Sequence, residues 1–167
     1  MALHLYLLRH AQSAEKQQGQ SDIERELTPR GIQEAAIIGS FLKKEGFKPE
    51  IIVSSSANRA KSTSNIIADA LQIDHDLVMQ EPELYEASPR TLLSLITNFD
   101  MANQTVLMVG HNPTISYLAE YLTKAEIGDM TTGGIAIIEF KLSDWSQVDE
   151  GKGDLVRSTF PAEVSND

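Results

Sequence analysis

Thr105-Val106-Leu107-Met108-Val109 runs into Gly110-His111-Asn112-Pro113, and an apolar helical pattern follows from Ile115 to Leu122. The first five residues carry no polar alternation, as expected of a strand buried on both faces. Gly110 to Pro113 breaks that strand, and the period then becomes helical. A strand, a polar break and a helix in about eighteen residues form the unit of an α/β fold.

The same unit recurs outward in both directions. Upstream, Ile51-Ile52-Val53 reads as a strand, Ser54-Ser55-Ser56 as its end, and about Arg59 to Leu71 as a helix carrying Ile66, Ile67, Ala70 and Leu71. Earlier still, His4 to Leu8 is a short apolar run ending in Arg9-His10. A polar loop from Gln12 to Glu26 follows, and a helix opens at Thr28-Pro29. Thr can cap a helix, and Pro is tolerated in its first turn. Ile32, Ala35, Ala36, Gly39 and Leu42 then recur at helical spacing as far as Gly46. Leu77 to Met79 is expected as a short strand. Ser88-Pro89 starts a helix with Leu92, Leu93, Leu95 and Ile96. Gly133-Gly134 opens a strand from Ile135 to Phe140, and one more is expected around Leu155 to Phe160.

Alternating strands and helices predict an α/β fold: three layers, α/β/α, around a mostly parallel central sheet. No linker or repeat divides the chain, so residues 1–167 are expected to form one domain, with about 161–167 a frayed tail. A chain of 167 residues with 41% hydrophobic and 23% charged residues can bury a sizeable core. It contains no Cys, which excludes disulfides and thiolate metal sites. The formal net charge of -10 argues against nucleic acid or an anionic membrane as partner. Ala2 to Leu8 lacks a basic leader and is too short for a secretory signal or a membrane span. A cytoplasmic location is therefore expected.

In open α/β sheets ligands sit at the carboxyl ends of the strands. Three such ends carry polar groups: Arg9-His10, the stretch from Ser54 to Arg59, and Gly110-His111. Arg59 opens a helix, where free N–H groups and the helix dipole favour an anion and a guanidinium adds a bidentate fork. Each fragment alone also fits an ordinary turn. Together they predict an oxyanion site at one sheet edge. His4 and His75 lack spacing that pairs them with other ligands, so no metal site is expected.

The ordered set Leu8-Arg9-His10-Ala11, Leu27-Thr28-Pro29-Arg30-Gly31, Ser54-Ser55 through Arg59-Ala60 to Thr63, and Gly110-His111-Asn112-Pro113 resembles the histidine phosphatase superfamily. Within it the chain is similar to the small phosphohistidine phosphatase (SixA-like) branch, from position 3 to about 140. Two positions depart from the family pattern. Ala11 stands where the Arg-His-Gly signature has Gly, and Ser56 stands where Pro usually follows the paired Ser. Neither change removes a reactive group.

The resemblance implies a phosphatase that needs no metal or other cofactor. His10 would be the nucleophile that carries the phosphoryl group. Arg9, Arg59 and His111 would surround its oxygens, with Ser13 and Ser55 as further donors. The family's Leu-x-Glu pattern points to Glu86 as general acid, and Glu83 stands nearby as an alternative. A short chain leaves little room for a lid, so the expected substrate is phosphohistidine on a protein partner, with inorganic phosphate as product. The alternative is a small phosphate ester such as a sugar phosphate. A non-catalytic phosphate-binding module, which has no need of a nucleophilic His, is the third reading.

Overall fold

The computed structural model describes residues 2–165. Among them a six-stranded mixed sheet is formed by β1 (Leu3–Arg9), β2 (Ile51–Ser54), β3 (Val78–Gln80), β4 (Thr105–Gly110), β5 (Ile135–Phe140) and β6 (Gly153–Thr159), in the order β3-β2-β4-β1-β5-β6. Strands β3, β2, β4 and β1 are parallel. Strand β5 runs antiparallel to β1, and β6 antiparallel to β5, so that β6 points the same way as β1; apolar periodicity does not encode these directions. The helices are α1 (Pro29–Lys44), α2 (Asn58–Leu71), α3 (Pro89–Thr97), α4 (Thr114–Thr123) and the short α5 (Pro161–Val164).

The two faces of the sheet bury separate cores. Leu3, Leu5 and Leu7 of β1 join Val106 and Met108 of β4 beneath α3 and α4, where Trp145 also packs. Leu8, Leu107 and Val109 lie on the other face, with Ile38 and Leu42 of α1 and Ile67 of α2. Strand β4 is thus apolar on both faces and reads as a continuous run, whereas β1 sets His4 and Tyr6 beside Leu8 on its second face. Thr28 caps α1 by accepting from the Gly31 amide at 2.9 Å, and Ser88 caps α3 by accepting from the Thr91 amide at 3.2 Å.

Several boundaries differ from expectation. Helix α2 begins at Asn58 behind Ala57, whose methyl cannot cap it. The last strand starts at Gly153 and ends at Thr159. Residues 161–164, expected to fray, instead form α5, because Pro161 and Val164 are buried; Asn166 and Asp167 lie outside the described residues. The loop from Gln12 to Glu26 contains a 3-10 turn at Asp22–Glu24 and a bridge pairing Ser13 with Leu27. Along β6 the pairing shifts register opposite Ile137 and Ile138, so that Val156 is left out of the ladder.

The connection after β1 passes over β4 to reach β2, whereas the connection after β4 crosses β1 to reach β5. The chain therefore leaves these two neighbours in opposite directions. This is the topological switch point at which α/β sheets leave a crevice. Arg9 and Gly110 pair there.

Candidate active site

An open cavity of about 470 Å³ lies at these strand ends, lined among others by Arg9, His10, Arg59 and His111. Backbone hydrogen bonds fix the floor: the His10 amide donates to the Gly110 carbonyl at 3.0 Å, and the Ser55 amide donates to the Val109 carbonyl at 3.1 Å. The sheet ladder thus continues past its last residues and sets the three segments side by side.

His10 is buried, 7% exposed. Its Nδ1 lies 2.7 Å from the Ala11 carbonyl oxygen. A carbonyl only accepts, so Nδ1 carries the proton and the neutral ring keeps its lone pair on Nε2. Burial lowers the His10 pKa to about 4; the Ala11 hydrogen bond opposes that shift, and Arg59, Arg9 and Arg25 add to it. The His111 ring stands edge-on, 5.1 Å from the His10 ring between centroids. Its pKa falls to about 3, first through burial and then through His10 and Arg59. Both imidazoles are therefore neutral at pH 7. His111 Nε2 pairs with the Ser55 hydroxyl at 2.8 Å.

Two guanidinium groups flank the rings. Arg9 donates through Nη1 to the Met130 carbonyl at 2.8 Å. Arg59 donates to the Asp22 backbone carbonyl at 2.8 Å and to its Oδ2 at 3.0 Å. In each, the Nε–H is buried and has no hydrogen-bond partner among the described residues. A buried donor without an acceptor is costly. Arg9, Arg25 and Arg59 outnumber Asp22 and Glu86 among the charged groups that line the cavity, so its lining carries more positive than negative groups. Such a lining suits an oxyanion.

The remaining expected residues separate here. Ser13 lines the cavity and accepts from Arg25 Nη1 at 3.1 Å. Ser55 is fully buried and holds His111, and it also accepts from the Ala57 amide at 3.2 Å. Glu86 is exposed, lines the cavity and takes a left-handed φ of 58°, a region that non-glycine residues seldom occupy. Glu83 is also exposed but does not line it.

Arg25, Asp22 and Tyr85 also line the cavity, although their sequence context did not single them out. Asp22 accepts from Arg25 Nε at 2.9 Å and from the Tyr85 hydroxyl at 2.6 Å, besides Arg59. The Tyr85 hydrogen bond, followed by those from Arg59 and Arg25, holds the Asp22 carboxyl down at about 2. The signal available in sequence was an acid and a base three residues apart, Asp22 and Arg25, in the loop that must cross the strand ends to reach α1. Among the described residues no group of three or more His, Asp or Glu gathers as metal ligands. None of the described helices is long and apolar enough to cross a membrane.

Comparison with known proteins agrees with this geometry. A profile of the histidine phosphatase superfamily (branch 1) matches residues 5–92. An uncharacterised protein of Mycobacterium tuberculosis is 33% identical, over 92% of this chain and 99% of that protein. The phosphohistidine phosphatase SixA of Escherichia coli is 28% identical, over 81% of this chain and 84% of that protein. A solved structure of the protein histidine phosphatase SixA complexed with tungstate superposes with a TM-score of 0.77 at 25% identity, covering 96% of this chain and 99% of that one. With the strand-end histidines, the paired arginines and the family profile in agreement, the chain belongs to the histidine phosphatase superfamily, branch 1, as a phosphatase.

Proposed function

We propose that the protein removes phosphoryl groups from phosphohistidine on a protein partner, through a phosphohistidine intermediate on His10. One observation carries this reading: a neutral, buried imidazole, protonated at Nδ1, shares a cavity with the guanidinium side chains of Arg9 and Arg59. The similar SixA structure was solved with tungstate, an oxyanion of phosphate-like shape.

In the first step, His10 Nε2 bonds to phosphorus as the bond from phosphorus to the substrate nitrogen breaks, and the leaving imidazole takes up a proton from solvent, which the open cavity admits. Arg9 and Arg59 stabilise the charge spread over the equatorial oxygens. Bound phosphate raises the proton affinity of His111, so this ring joins them as a cation only when substrate is present. Water then attacks phospho-His10, releasing inorganic phosphate and restoring the imidazole. Every charge in this scheme is supplied by side chains, so no cofactor takes part. The cavity is open to solvent, which suits a phosphorylated side chain presented on a protein surface. Its net charge of -10 speaks against nucleic acid and anionic membranes as partners.

A second reading rests on Glu86. An exposed carboxylate at the cavity is placed to protonate an alkoxide, which a phosphomonoesterase acting on small phosphate esters requires. The experiment is rapid quenching with a ³²P-labelled phosphohistidine peptide, followed by mapping of acid-labile label. Label on His10, absent in His10→Ala, is expected. Turnover that persists in His10→Ala overturns the mechanism. A panel of phosphohistidine peptides and sugar phosphates decides the substrate class.

A further inference from the structure

The Ala11 carbonyl and the Gln12 amide belong to one peptide group, and the two ends of that group have different partners. The carbonyl oxygen accepts from His10 Nδ1 at 2.7 Å. The amide donates to Glu34 Oε1 at 2.8 Å. Glu34 projects from α1 and is a charged side chain only 8% exposed. Its carboxylate also accepts from Thr132 Oγ1, at 2.9 Å to Oε1 and 3.0 Å to Oε2. Among the described residues its one ion-pair partner is Arg30, which stands 3.9 Å away and is 74% exposed at the side chain, so it neutralises the charge poorly.

We infer that Glu34 is a positioning residue for His10, acting through the Ala11–Gln12 peptide as a relay from carboxylate to amide to imidazole. A carboxylate accepting from an amide N–H shifts electron density toward that amide's carbonyl oxygen. The oxygen then accepts more strongly from Nδ1–H. Linked hydrogen bonds polarise one another in this way when the surroundings are of low dielectric. As Nε2 bonds to phosphorus, the ring develops imidazolium character, and the relay stabilises it at Nδ1. Arrangements in which a carboxylate orients and charges an imidazole usually make the contact directly. Here a peptide group stands between.

The peptides on either side are pinned too, so the orientation of the Ala11–Gln12 peptide does not depend on Glu34 alone. The Ala11 amide donates to Thr63 Oγ1 at 3.0 Å, and the Gln12 carbonyl accepts from the Thr28 amide at 3.1 Å. Glu34→Gln keeps an oxygen for the Gln12 amide and removes the charge, which separates the relay from a purely structural tie. The charged and titratable groups facing His10 are Arg9, Arg25, Arg59 and His111. Arg9 also feels Glu34 electrostatically. An effect transmitted through Arg9 would appear as weaker phosphate binding.

The inference rests on His10 as nucleophile, and its test reads His10 without requiring turnover. In ¹⁵N-labelled Glu34→Gln, the His10 Nδ1–H resonance should move upfield and the His10 titration midpoint should fall. Phosphoryl transfer to His10, measured by rapid quench, should slow about tenfold, with KM and the inhibition constant for inorganic phosphate within about twofold. An unchanged His10 resonance and transfer rate in Glu34→Gln would falsify the relay. A phosphate constant that weakens in step with the rate assigns the effect to Arg9 instead. If that variant does not fold, the wild-type protein answers the question. The Gln12 amide proton should shift downfield when vanadate occupies the site, and a Gln12 resonance that stays in place overturns the relay. Turnover surviving in His10→Ala removes the nucleophile reading, whereas the Gln12 and His10 shifts judge the relay by itself.

Discussion

Asp22 holds both terminal nitrogens of Arg59, one through its backbone carbonyl at 2.8 Å and the other through Oδ2 at 3.0 Å. The same carboxylate binds Arg25 and Tyr85. One acid therefore sets the place of three donors at the cavity while contributing a negative charge to it.

That dual role makes the outcome of Asp22→Asn specific. The amide oxygen can still accept from Arg59, but the repulsion of a phosphate dianion is gone. The Asp22 side chain is half exposed, so the gain is modest. Inhibition by inorganic phosphate should tighten about threefold, on the order of the energy of one exposed charge pair. Weaker inhibition would mean that the carboxylate serves mainly to align the donors.

Ser55→Ala removes the hydroxyl that holds His111 Nε2 and leaves the Ala57 amide without its acceptor. The cost to stability should be about 1–3 kcal/mol, the usual penalty for a buried unpaired donor. Activity should drop about tenfold as His111 loses its orientation. Urea unfolding and steady-state kinetics measure the two separately.

Acid should weaken the fold in a defined window. His10 and His111 have ordinary values of 6.5 when unfolded, and about 4 and about 3 when folded. Their neutral forms are native above pH 6.5, where neither state takes up protons. As pH falls below 6.5 the unfolded chain binds protons that the folded chain refuses, so stability declines toward pH 4. The urea midpoint should be lower at pH 5 than at pH 7. Saturating phosphate should recover part of the loss, because an anion favours the protonated rings. A midpoint that does not move between these pH values contradicts the burial of the two rings as neutral groups.

Glu86→Gln separates the two substrate readings. Hydrolysis of alkyl phosphates should be abolished, because an alkoxide cannot leave without a proton, while phosphohistidine turnover should survive. Glu83→Gln should alter neither, since Glu83 lies outside the cavity lining. If both activities survive in Glu86→Gln, Glu86 is not the acid.

Gly31→Ala tests how tightly the loop after His10 is seated. A Cβ at Gly31 would overlap the Gln12 carbonyl oxygen, a backbone atom that cannot step aside. Destabilisation of about 1–3 kcal/mol is expected, with a loss of activity larger than Ser55→Ala causes, because Gln12 must shift with its carbonyl and carry its amide, one end of the Ala11–Gln12 peptide, along. Activity equal to wild type would show that the peptide's position is not critical.

Arg9, His10, Arg59 and His111 were legible in the sequence because each directly follows a strand or opens a helix. In a parallel sheet the strand ends converge, so linear position translates into spatial position. Asp22, Arg25 and Tyr85 were not legible for the opposite reason. They come from irregular segments whose path is set by tertiary contacts, such as Asn58 donating to the Glu24 carbonyl and to Glu26. Ser55 stands in a run of three serines, and only the register of β2 against β4 shows which hydroxyl meets His111. Nothing in the spacing of α1 marks Glu34, and only the tertiary structure brings its carboxylate to the Gln12 amide and to Thr132.

The two borders of the sheet have a consequence for the protein at high concentration. At one border β3 offers three residues; at the other, β6 breaks step at Val156 and presents Asp154 and Arg157. A brief border and a kinked, charged one each give a neighbouring molecule little straight backbone to copy. The sheet should therefore resist edge-to-edge growth into fibres, even though β4 at its centre is a continuous apolar run of the kind that aggregates when exposed.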